Sequence, residues 1–158
     1  MTELVAGEAA PGFSLLDAAG TRVSLADFAP GQVILYIYPA ALTPGCTVEA
    51  IDFSAAAAAF AQAGYHILGL SPDSPDKLTR FVTKNDLTVT LLSDPELTVI
   101  KAYGGWGDRV IWGKALTGVI RSTFVIDVDA EGRGVIVDAQ YGVRAKGHVD
   151  RLRTALQV

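Results

Sequence analysis

The sequence contains one cysteine, Cys46, and the residues before it predict its chemistry. In the stretch YPAALTPGCTVEAIDF (38–53), the cysteine follows directly after Thr43, Pro44 and Gly45. Threonine favours the N-cap of a helix and proline favours its first position, so we expect a helix to begin here. Cys46 then lies in the first helical turn, where backbone N–H groups lack intrahelical acceptors. We therefore expect the sulfur atom to face oriented hydrogen-bond donors.

This position predicts an ionised thiol, but ionisation alone does not make an enzyme. Oriented N–H groups and the positive end of the helix dipole should lower the pKa of Cys46 from about 8.5 into the range of about 3.5–7.5. Gly45 would let a small substrate approach the backbone closely. The thiolate fraction at neutral pH rises by only about tenfold to thirtyfold, and nucleophilicity falls with the pKa. A catalyst would therefore also need a cation and a hydroxyl beside the sulfur.

The pattern of apolar residues predicts the elements that position this cysteine. Buried strands are predicted over 32–39, 65–71 and 89–94. Helices are predicted over 43–63, with Gly64 as a C-cap, from 74 to about 86, from 95 to about 103, and over 146–156. Two hairpins are predicted, one in FSLLDAAGTRVSL (13–25) and one formed by residues 119–129 and 134–142. We expect GGWGDRVIWGKALTG (104–118) to be a long functional loop.

Strands that alternate with helices indicate an α/β fold with a central sheet flanked by helices. The hairpins supply antiparallel partners, so the sheet should be mixed. A thioredoxin-like fold with an N-terminal β-hairpin extension fits this order, although periodicity alone does not distinguish it from other three-layer α/β folds. The length of 158 residues predicts a single domain spanning 1–158.

The spacing Pro39-x-x-x-Thr43-x-x-Cys46 matches the active-site pattern of the peroxiredoxins. The run YPAALTPGCTVEA resembles the Q-type branch of that family, the bacterioferritin comigratory proteins. Further stretches resemble the same branch in the same order: GLSPDSPDKLTRF, LLSDPE, AYGGWG and IRSTFVID. The resemblance covers nearly the whole chain, and several matches in register make it specific.

The resemblance implies a role for each of five residues. Cys46 is implied to be the peroxidatic cysteine, and Arg121 to lie beside its thiolate. Thr43 would donate or relay a hydrogen bond to the peroxide, and Pro39 would shield the pocket from water. Glu49, one helical turn after the cysteine, would orient the arginine. The implied reaction is attack of the thiolate on a peroxide oxygen, giving water or an alcohol and a sulfenic acid, with no cofactor or metal.

One departure from the Q-type pattern concerns the resolving cysteine. Members often carry it five residues after the first cysteine or in the following helix, positions occupied here by Ile51 and Val82. No intramolecular disulfide can form in a chain with one cysteine. An external thiol must therefore reduce the sulfenic acid, and thioredoxin, glutaredoxin and low-molecular-weight thiols all remain open as the donor.

Composition excludes several other classes of function. The formal net charge is −4 and no basic cluster is present, so nucleic-acid binding is not expected. No apolar run approaches the roughly 20 residues that span a membrane. The N-terminal MTELVAGEAAPGF lacks the features of a secretory signal, and a lone cysteine excludes a disulfide framework. We expect a cytoplasmic protein that is a monomer or a weak homodimer.

Three functions remain as alternatives at this point. The leading one is a peroxidase acting on hydrogen peroxide and organic hydroperoxides. A peroxide sensor or thiol-mediated binding module would use the same fold, and a non-catalytic scaffold would have lost turnover. The two histidines, His66 and His148, are expected to be structural, and with one cysteine they do not suggest a zinc site. Trp106 and Trp112 are expected either to cover the core or to form a pocket wall or partner surface.

Overall fold

The structure, a computed structural model, describes residues 3–158. Within that range the chain forms ten strands, four α-helices and one short 3-10 helix. The strands are β1 (Ala9–Ala10), β2 (Ser14–Asp17), β3 (Arg22–Ser24), β4 (Gly31–Ile37), β5 (Tyr65–Ser71), β6 (Thr90–Ser93), β7 (Trp106–Ile111), β8 (Lys114–Val119), β9 (Ser122–Val128) and β10 (Gly134–Tyr141). The helices are α1 (Pro44–Gln62), α2 (Pro75–Asn85), α3 (Thr98–Ala102) and α4 (His148–Leu156), and the 3-10 helix is Leu25–Phe28.

Eight strands form one mixed sheet in the order β1-β10-β9-β4-β5-β6-β2-β3. The central pairs β4–β5 and β5–β6 are parallel, and the remaining pairs are antiparallel. β4 lies at the centre, and its last five residues, Val33 to Ile37, are all apolar or aromatic and buried, which suits a strand covered on both faces. The mixed thioredoxin-like sheet and the hairpin β2–β3 near the N-terminus were both predicted, and the fold confirms them.

Two hydrophobic clusters lie on the two faces of this sheet. One face packs against α1, α2 and α4, through residues such as Phe53, Phe81 and Leu152. The other face packs against α3 and the 3-10 helix, through residues such as Ile100 and Leu25. The helix-rich face positions the cysteine, because α1 crosses it with Cys46 on its buried side.

A close approach between β5 and an aromatic ring requires a glycine. A Cβ atom at Gly69 would lie 2.8 Å from the Cζ atom of Tyr36 and 2.7 Å from a methyl group of Leu91. The outer end of the Tyr36 ring therefore packs against Gly69, and the ring stacks on Phe53 of α1 with the centroids 4.4 Å apart. This aromatic layer fixes the distance between α1 and the sheet beneath the cysteine.

The prediction of a loop over 104–118 is wrong. These residues form the antiparallel hairpin β7–β8, in which Trp106 pairs with Val119 and Asp108 with Thr117. The turn at Trp112 and Gly113 has positive φ values of 54° and 75°, as two-residue hairpin turns require. The side chain of Trp112 is 97% exposed, so it covers neither the core nor a pocket.

Two predicted helices begin later than their sequences suggested. α3 begins at Thr98 rather than Pro95, because Leu97 adopts a left-handed conformation and donates its N–H to the Asp94 carbonyl. α4 begins at His148 rather than residue 146, because Gly147 has a φ of 76°. The other helix boundaries agree with the prediction within two residues. No helix in the described range is long and apolar enough to cross a membrane.

Candidate active site

The loop after β4 ends in an open helix N-terminus. Thr43 is the N-cap residue of α1, with extended backbone angles, and Pro44 is the first helical residue, as predicted. The threonine hydroxyl does not cap the helix; it donates to the carbonyl of Ala40 at 2.7 Å. By contrast, the N-cap Ser74 of α2 accepts from the N–H of Lys77. The first-turn N–H groups of α1 are therefore left for a group near the cysteine.

Cys46, Arg121 and Glu49 form a linked set beside this helix start. Arg121 lies between β8 and β9, and its Nη2 atom donates to Cys46 Sγ at 3.3 Å. The Nη1 atom of the same guanidinium donates to Glu49 Oε1 at 2.6 Å. Glu49 lies one turn after Cys46 on the buried face of α1, so a planar two-pronged donor reaches both side chains at once.

Burial and charge act against each other within this set. Cys46 is 2% exposed and Glu49 is fully buried. Burial raises the pKa of Glu49 to about 7, although Arg121 pulls it down. Burial alone would lower the pKa of Arg121, but Glu49 and Cys46 raise it on balance. The guanidinium thus stays charged 3.3 Å from the sulfur.

A buried aspartate holds the loop that precedes α1. The Oδ2 atom of Asp73 accepts from the backbone N–H of Ala41 at 2.7 Å and from Ser71 Oγ at 2.8 Å. Its Oδ1 atom pairs with Lys77 Nζ at 2.7 Å. The next residue after Ala41, Leu42, has a φ of 66°, so the loop turns sharply just before the helix starts. Asp73 therefore ties the carboxyl end of β5 to the start of α1.

Comparison with known proteins identifies the family. A model described as the AhpC/TSA family matches residues 6–135, well over half of the chain. The chain belongs to this family.

Relatives place the protein more closely within the family. A Mycobacterium tuberculosis protein that bears the peroxiredoxin name is 50% identical over 157 residues, covering 99% of this chain and 98% of that protein. Peroxiredoxin Bcp of Escherichia coli is 43% identical over 138 residues, 87% of this chain and 88% of the relative. A solved structure of Xanthomonas campestris bacterioferritin comigratory protein is 33% identical, with a TM-score of 0.82 over 92% of this chain and 90% of that chain. The chain is a Q-type peroxiredoxin.

Because this peroxiredoxin has a single cysteine, it is a one-cysteine thiol-dependent peroxidase. Ile51 and Val82 do occupy α1 and α2, the elements where a resolving cysteine was sought. The names of the relatives favour a peroxidase over the sensor or binding module that the sequence left open.

The five residues implied by the resemblance are not all in contact. Cys46, Glu49 and Arg121 are hydrogen-bonded to one another, as described above. Thr43 lies three residues before the cysteine, but its hydroxyl bonds to the loop rather than to the sulfur. Pro39 is half-buried at the beginning of the same loop. Their roles toward a peroxide stay predictions.

Asp73 and Ser71 were missed by the sequence reasoning. Both follow or end β5, and polar residues at the carboxyl end of a buried parallel strand are a known sign of a site at that edge of a sheet. The sign is present in the stretch GLSPDSPD, where the sequence analysis placed a helix start and a family resemblance but no site residue.

His148 is a structural residue, as expected. It is 2% exposed, its Nε2 atom lies 2.9 Å from Thr123 Oγ1, and its ring meets Phe53 edge-on. Burial lowers its pKa to about 4, and the positive charges of Arg151 and Arg121 add to the shift. Among residues 3–158 no cluster of three or more histidine, cysteine or acidic side chains is placed to bind a metal ion.

Proposed function

We propose that Cys46 is the nucleophile that reduces hydrogen peroxide and organic hydroperoxides in this peroxiredoxin. The observation that supports this most strongly is the guanidinium of Arg121, which bonds both Cys46 Sγ and Glu49 Oε1. A lone thiol kept for packing has no need of a buried cation 3.3 Å away. The same cation would be aimed at a peroxide lying against the sulfur.

The oxidation step requires no group beyond the site and the peroxide. The thiolate attacks the terminal oxygen of the peroxide, an S–O bond forms and the O–O bond breaks. Sulfur supplies two electrons, the alkoxide or hydroxide takes up a proton and leaves as alcohol or water, and Cys46 becomes a sulfenic acid. Arg121 and the first-turn N–H groups of α1 stabilise the charge that develops on the two oxygens.

Thr43 and Pro39 have different parts in this step. The Thr43 hydrogen is already donated to Ala40, so the hydroxyl oxygen is available to accept the proton end of a hydroperoxide and orient it. Pro39 carries no N–H and covers the pocket side of the loop without offering a competing donor. Both residues therefore position the peroxide rather than exchange electrons with it.

Reduction of the sulfenic acid requires an external thiol. The first thiol forms a mixed disulfide with Cys46 and releases water, and a second thiol frees the Cys46 thiolate and leaves as a disulfide. Thioredoxin, glutaredoxin and low-molecular-weight thiols all satisfy this chemistry. We propose that the protein is cytoplasmic, because thiol donors are kept reduced in that compartment. We also propose that it works as a monomer or weak homodimer.

Organic hydroperoxides are included for two reasons. The Xanthomonas campestris relative is described by its alkyl peroxide reduction activity. In this chain, Leu42 directly precedes Thr43, and its apolar side chain is 38% exposed and can contact an alkyl group.

Replacing the sulfur tests the proposal directly. Cys46→Ser is near-isosteric, so the fold and its thermal unfolding should be preserved while peroxide consumption with dithiothreitol as donor is lost. The consumption of hydrogen peroxide and tert-butyl hydroperoxide measures this. Ser54→Ala, on the same helix but away from the sulfur, serves as a control that should retain activity. Substantial turnover in Cys46→Ser would refute the role of Cys46.

A further inference from the structure

The mouth of the active site is basic although the chain as a whole is acidic. The formal net charge is −4, yet cations lie on two sides of the helix start that carries Cys46. Within residues 3–158 two salt bridges form, Lys77 with Asp73 and Arg121 with Glu49. The other cations near the mouth have no acidic partner in the described structure.

The first side is a groove between the active-site loop and α2. Leu42 lines it together with Arg80 and Lys84 and two threonines, Thr79 and Thr83, around a volume of about 390 Å³. The lining within the described chain includes two cations and no acid. Leu42 keeps an apolar side chain 38% exposed in a left-handed conformation that leucine rarely adopts. Such strain is typical of residues held for contact with a ligand or partner.

The second side is the segment before α4, which carries Arg144 and Lys146. A Cβ atom on Gly45 would lie 3.8 Å from the Cβ of Ala145 and 3.4 Å from Arg121 Nη2, so this segment touches the first turn of α1. Arg151 donates to the carbonyls of residues 144 and 146, which keeps its charge at this turn without neutralising it.

Exposed apolar side chains lie between the two basic sides. Val48 and Ile51 point away from the buried face of α1, and each is 43% exposed. With Leu42 at the end of the active-site loop, they give the outward surface at the first turns of α1 an apolar centre. An apolar centre with a charged rim is the usual anatomy of a protein–protein interface.

We propose that this surface docks a thiol protein whose reactive cysteine lies in an apolar contact patch with an acidic rim. The proposal rests on the proposed function, since a one-cysteine peroxidase needs an external reductant. Its contact surface consists of Leu42, Val48 and Ile51 at the centre, Arg80 and Lys84 on one side, and Arg144 and Lys146 on the other.

The spread of the cations favours a protein over a small thiol. They extend from α2 to the segment before α4, on opposite sides of the start of α1, and a low-molecular-weight thiol cannot contact both sides at once. Acids are also present: Asp52 on α1 lies near Asp150 on α4, and Asp76 lies in the first turn of α2, but none of the three lines the groove at α2. The α2 side is therefore the sharper place to test charge recognition.

Charge-reversal variants and three donor peptides test the docking surface. Cys46 is first converted to the sulfenic acid with one equivalent of hydrogen peroxide. Three cysteine peptides, which differ only in having flanking glutamates, glutamines or lysines, are then added to form the mixed disulfide with Cys46. The reaction is quenched at intervals, and intact mass spectrometry measures how much mixed disulfide has formed. The key variant is Arg80→Glu/Lys84→Glu, and the matched control Arg22→Glu/Arg133→Glu makes the same change in net charge at exposed sites far from α1. Comparing one peptide between variants cancels that peptide's own thiol reactivity.

The glutamate peptide should react about tenfold more slowly with the key variant than with the wild type, and the lysine peptide faster. The control variant should change either rate by less than about twofold, and 0.5 M salt should weaken the effect because surface charges are screened. Uncharged dithiothreitol should reduce all the proteins alike. Arg80→Gln/Lys84→Gln should give an intermediate effect, which guards against a folding defect in the reversal.

Two outcomes would overturn the surface while leaving the peroxidase intact. One is a glutamate-peptide rate that is the same in the wild type and in Arg80→Glu/Lys84→Glu. The other concerns oxidation: the key variant would react more slowly with a carboxylate-bearing alkyl hydroperoxide but not with tert-butyl hydroperoxide, while the peptides reduced its sulfenic acid at the wild-type rate. The groove would then bind substrate rather than a donor. If hydrogen peroxide produced no sulfenic acid in the wild type, the proposed function itself would fail, and the surface with it.

Discussion

Arg121 reaches two neighbouring side chains of α1 from a distant part of the sequence. Cys46 and Glu49 are neighbours on α1, but the arginine lies 75 residues after the cysteine and reaches it because β9 pairs with β4. Its fork bonds two acceptors in fixed directions, which a lysine ammonium cannot do in the same way. The sequence could predict the helix start at Cys46 from local residue types, whereas no local pattern reveals which cation the sheet brings to it; only the resemblance did so.

Removing the guanidinium should slow the peroxide step. We expect Arg121→Ala to lower the rate of Cys46 oxidation by about 10²-fold, the loss typical of one charged group that stabilises a transition state. Arg121→Lys should recover only part of the rate, because it keeps the charge without the fork. Single-turnover stopped-flow oxidation measures this, with Arg109→Ala on β7 as a control. An Arg121→Ala protein that reacts at the wild-type rate would remove the arginine from the mechanism.

Glu49 predicts a dependence of stability on pH. Burial raises its pKa in the folded protein to about 7, above the value of about 4.3 expected in the unfolded chain. The folded state therefore binds this proton more tightly, and the resulting stability is complete below about pH 4.3 and is lost as the pH rises through 7. In Glu49→Gln the amide does not titrate, so this pH-dependent contribution to stability is absent.

The free energy of unfolding of the wild type should thus fall relative to that of Glu49→Gln between pH 5 and pH 8. Urea unfolding at both pH values measures the difference, and Glu131→Gln at an exposed turn should follow the wild type. Parallel pH profiles for wild type and Glu49→Gln would show that the buried carboxyl does not titrate in this window.

At the scale of elements, the active-site loop depends on a strand that carries none of the reacting groups. The carboxylate of Asp73, just beyond β5, fixes the N–H of Ala41 and so the direction in which the chain enters α1. Within the described residues the other side-chain hydrogen bonds of the loop are local, from Thr43 Oγ1 to the Ala40 carbonyl and from Thr47 Oγ1 to the Thr43 carbonyl. Positioning of the peroxide should therefore be sensitive to this one contact.

Asp73→Asn should weaken positioning without removing any reacting group. An amide can still accept from Ala41, but it loses the ion pair with Lys77 and its own N–H₂ must find an acceptor. We expect the oxidation of Cys46 to be about tenfold slower and the KM for bulky hydroperoxides to be higher. The reactivity of the Cys46 thiol in the unfolded chain should be unchanged. Asp76→Asn, exposed in the first turn of α2, is the control. Equal oxidation rates in both variants would mean that the loop holds its shape without Asp73.

Local chemistry explains which elements could be predicted. α1 and α2 have proline at the first helical position after a threonine or serine, and β4 and β5 are mostly apolar, so residue types alone predict these four elements. The hairpin β7–β8 was missed because its glycines hide the alternation of polar and apolar residues, and because its turn uses a tryptophan at positive φ instead of asparagine or glycine. Residue preferences for turns therefore do not predict a turn that begins with tryptophan.

At the scale of the whole molecule, the single sulfur is almost fully buried. Cys46 is 2% exposed, on the face of the sheet covered by α1, α2 and α4. We expect a small peroxide to reach it through the helix start, and we expect a bulkier protein thiol to require the first turn of α1 to loosen. Reduction by a donor is therefore expected to be the slower half of the cycle.

Excess peroxide without a donor should drive the protein past the sulfenic acid. No second sulfur exists to trap it, so each sulfenate either meets an external thiol or reacts again to form a sulfinic acid. Intact mass spectrometry should show one and then two added oxygens and no intramolecular disulfide. Because both fates start from the same sulfenate, the fraction over-oxidised should fall steeply as dithiothreitol is added.

Ile51→Cys tests whether the fold can resolve its own sulfenate. Residues five apart on a helix have Cα atoms about 8–9 Å apart, beyond the roughly 7 Å limit of a disulfide, so resolution requires the first turns of α1 to unwind. A loss of two hydrogens in Ile51→Cys, with protection from over-oxidation, would show that they do, and Ile51→Ser should over-oxidise like the wild type. If the wild type instead stopped at one added oxygen under large excess, its sulfenate would be shielded, and the peroxide sensor would become the better account of this chain.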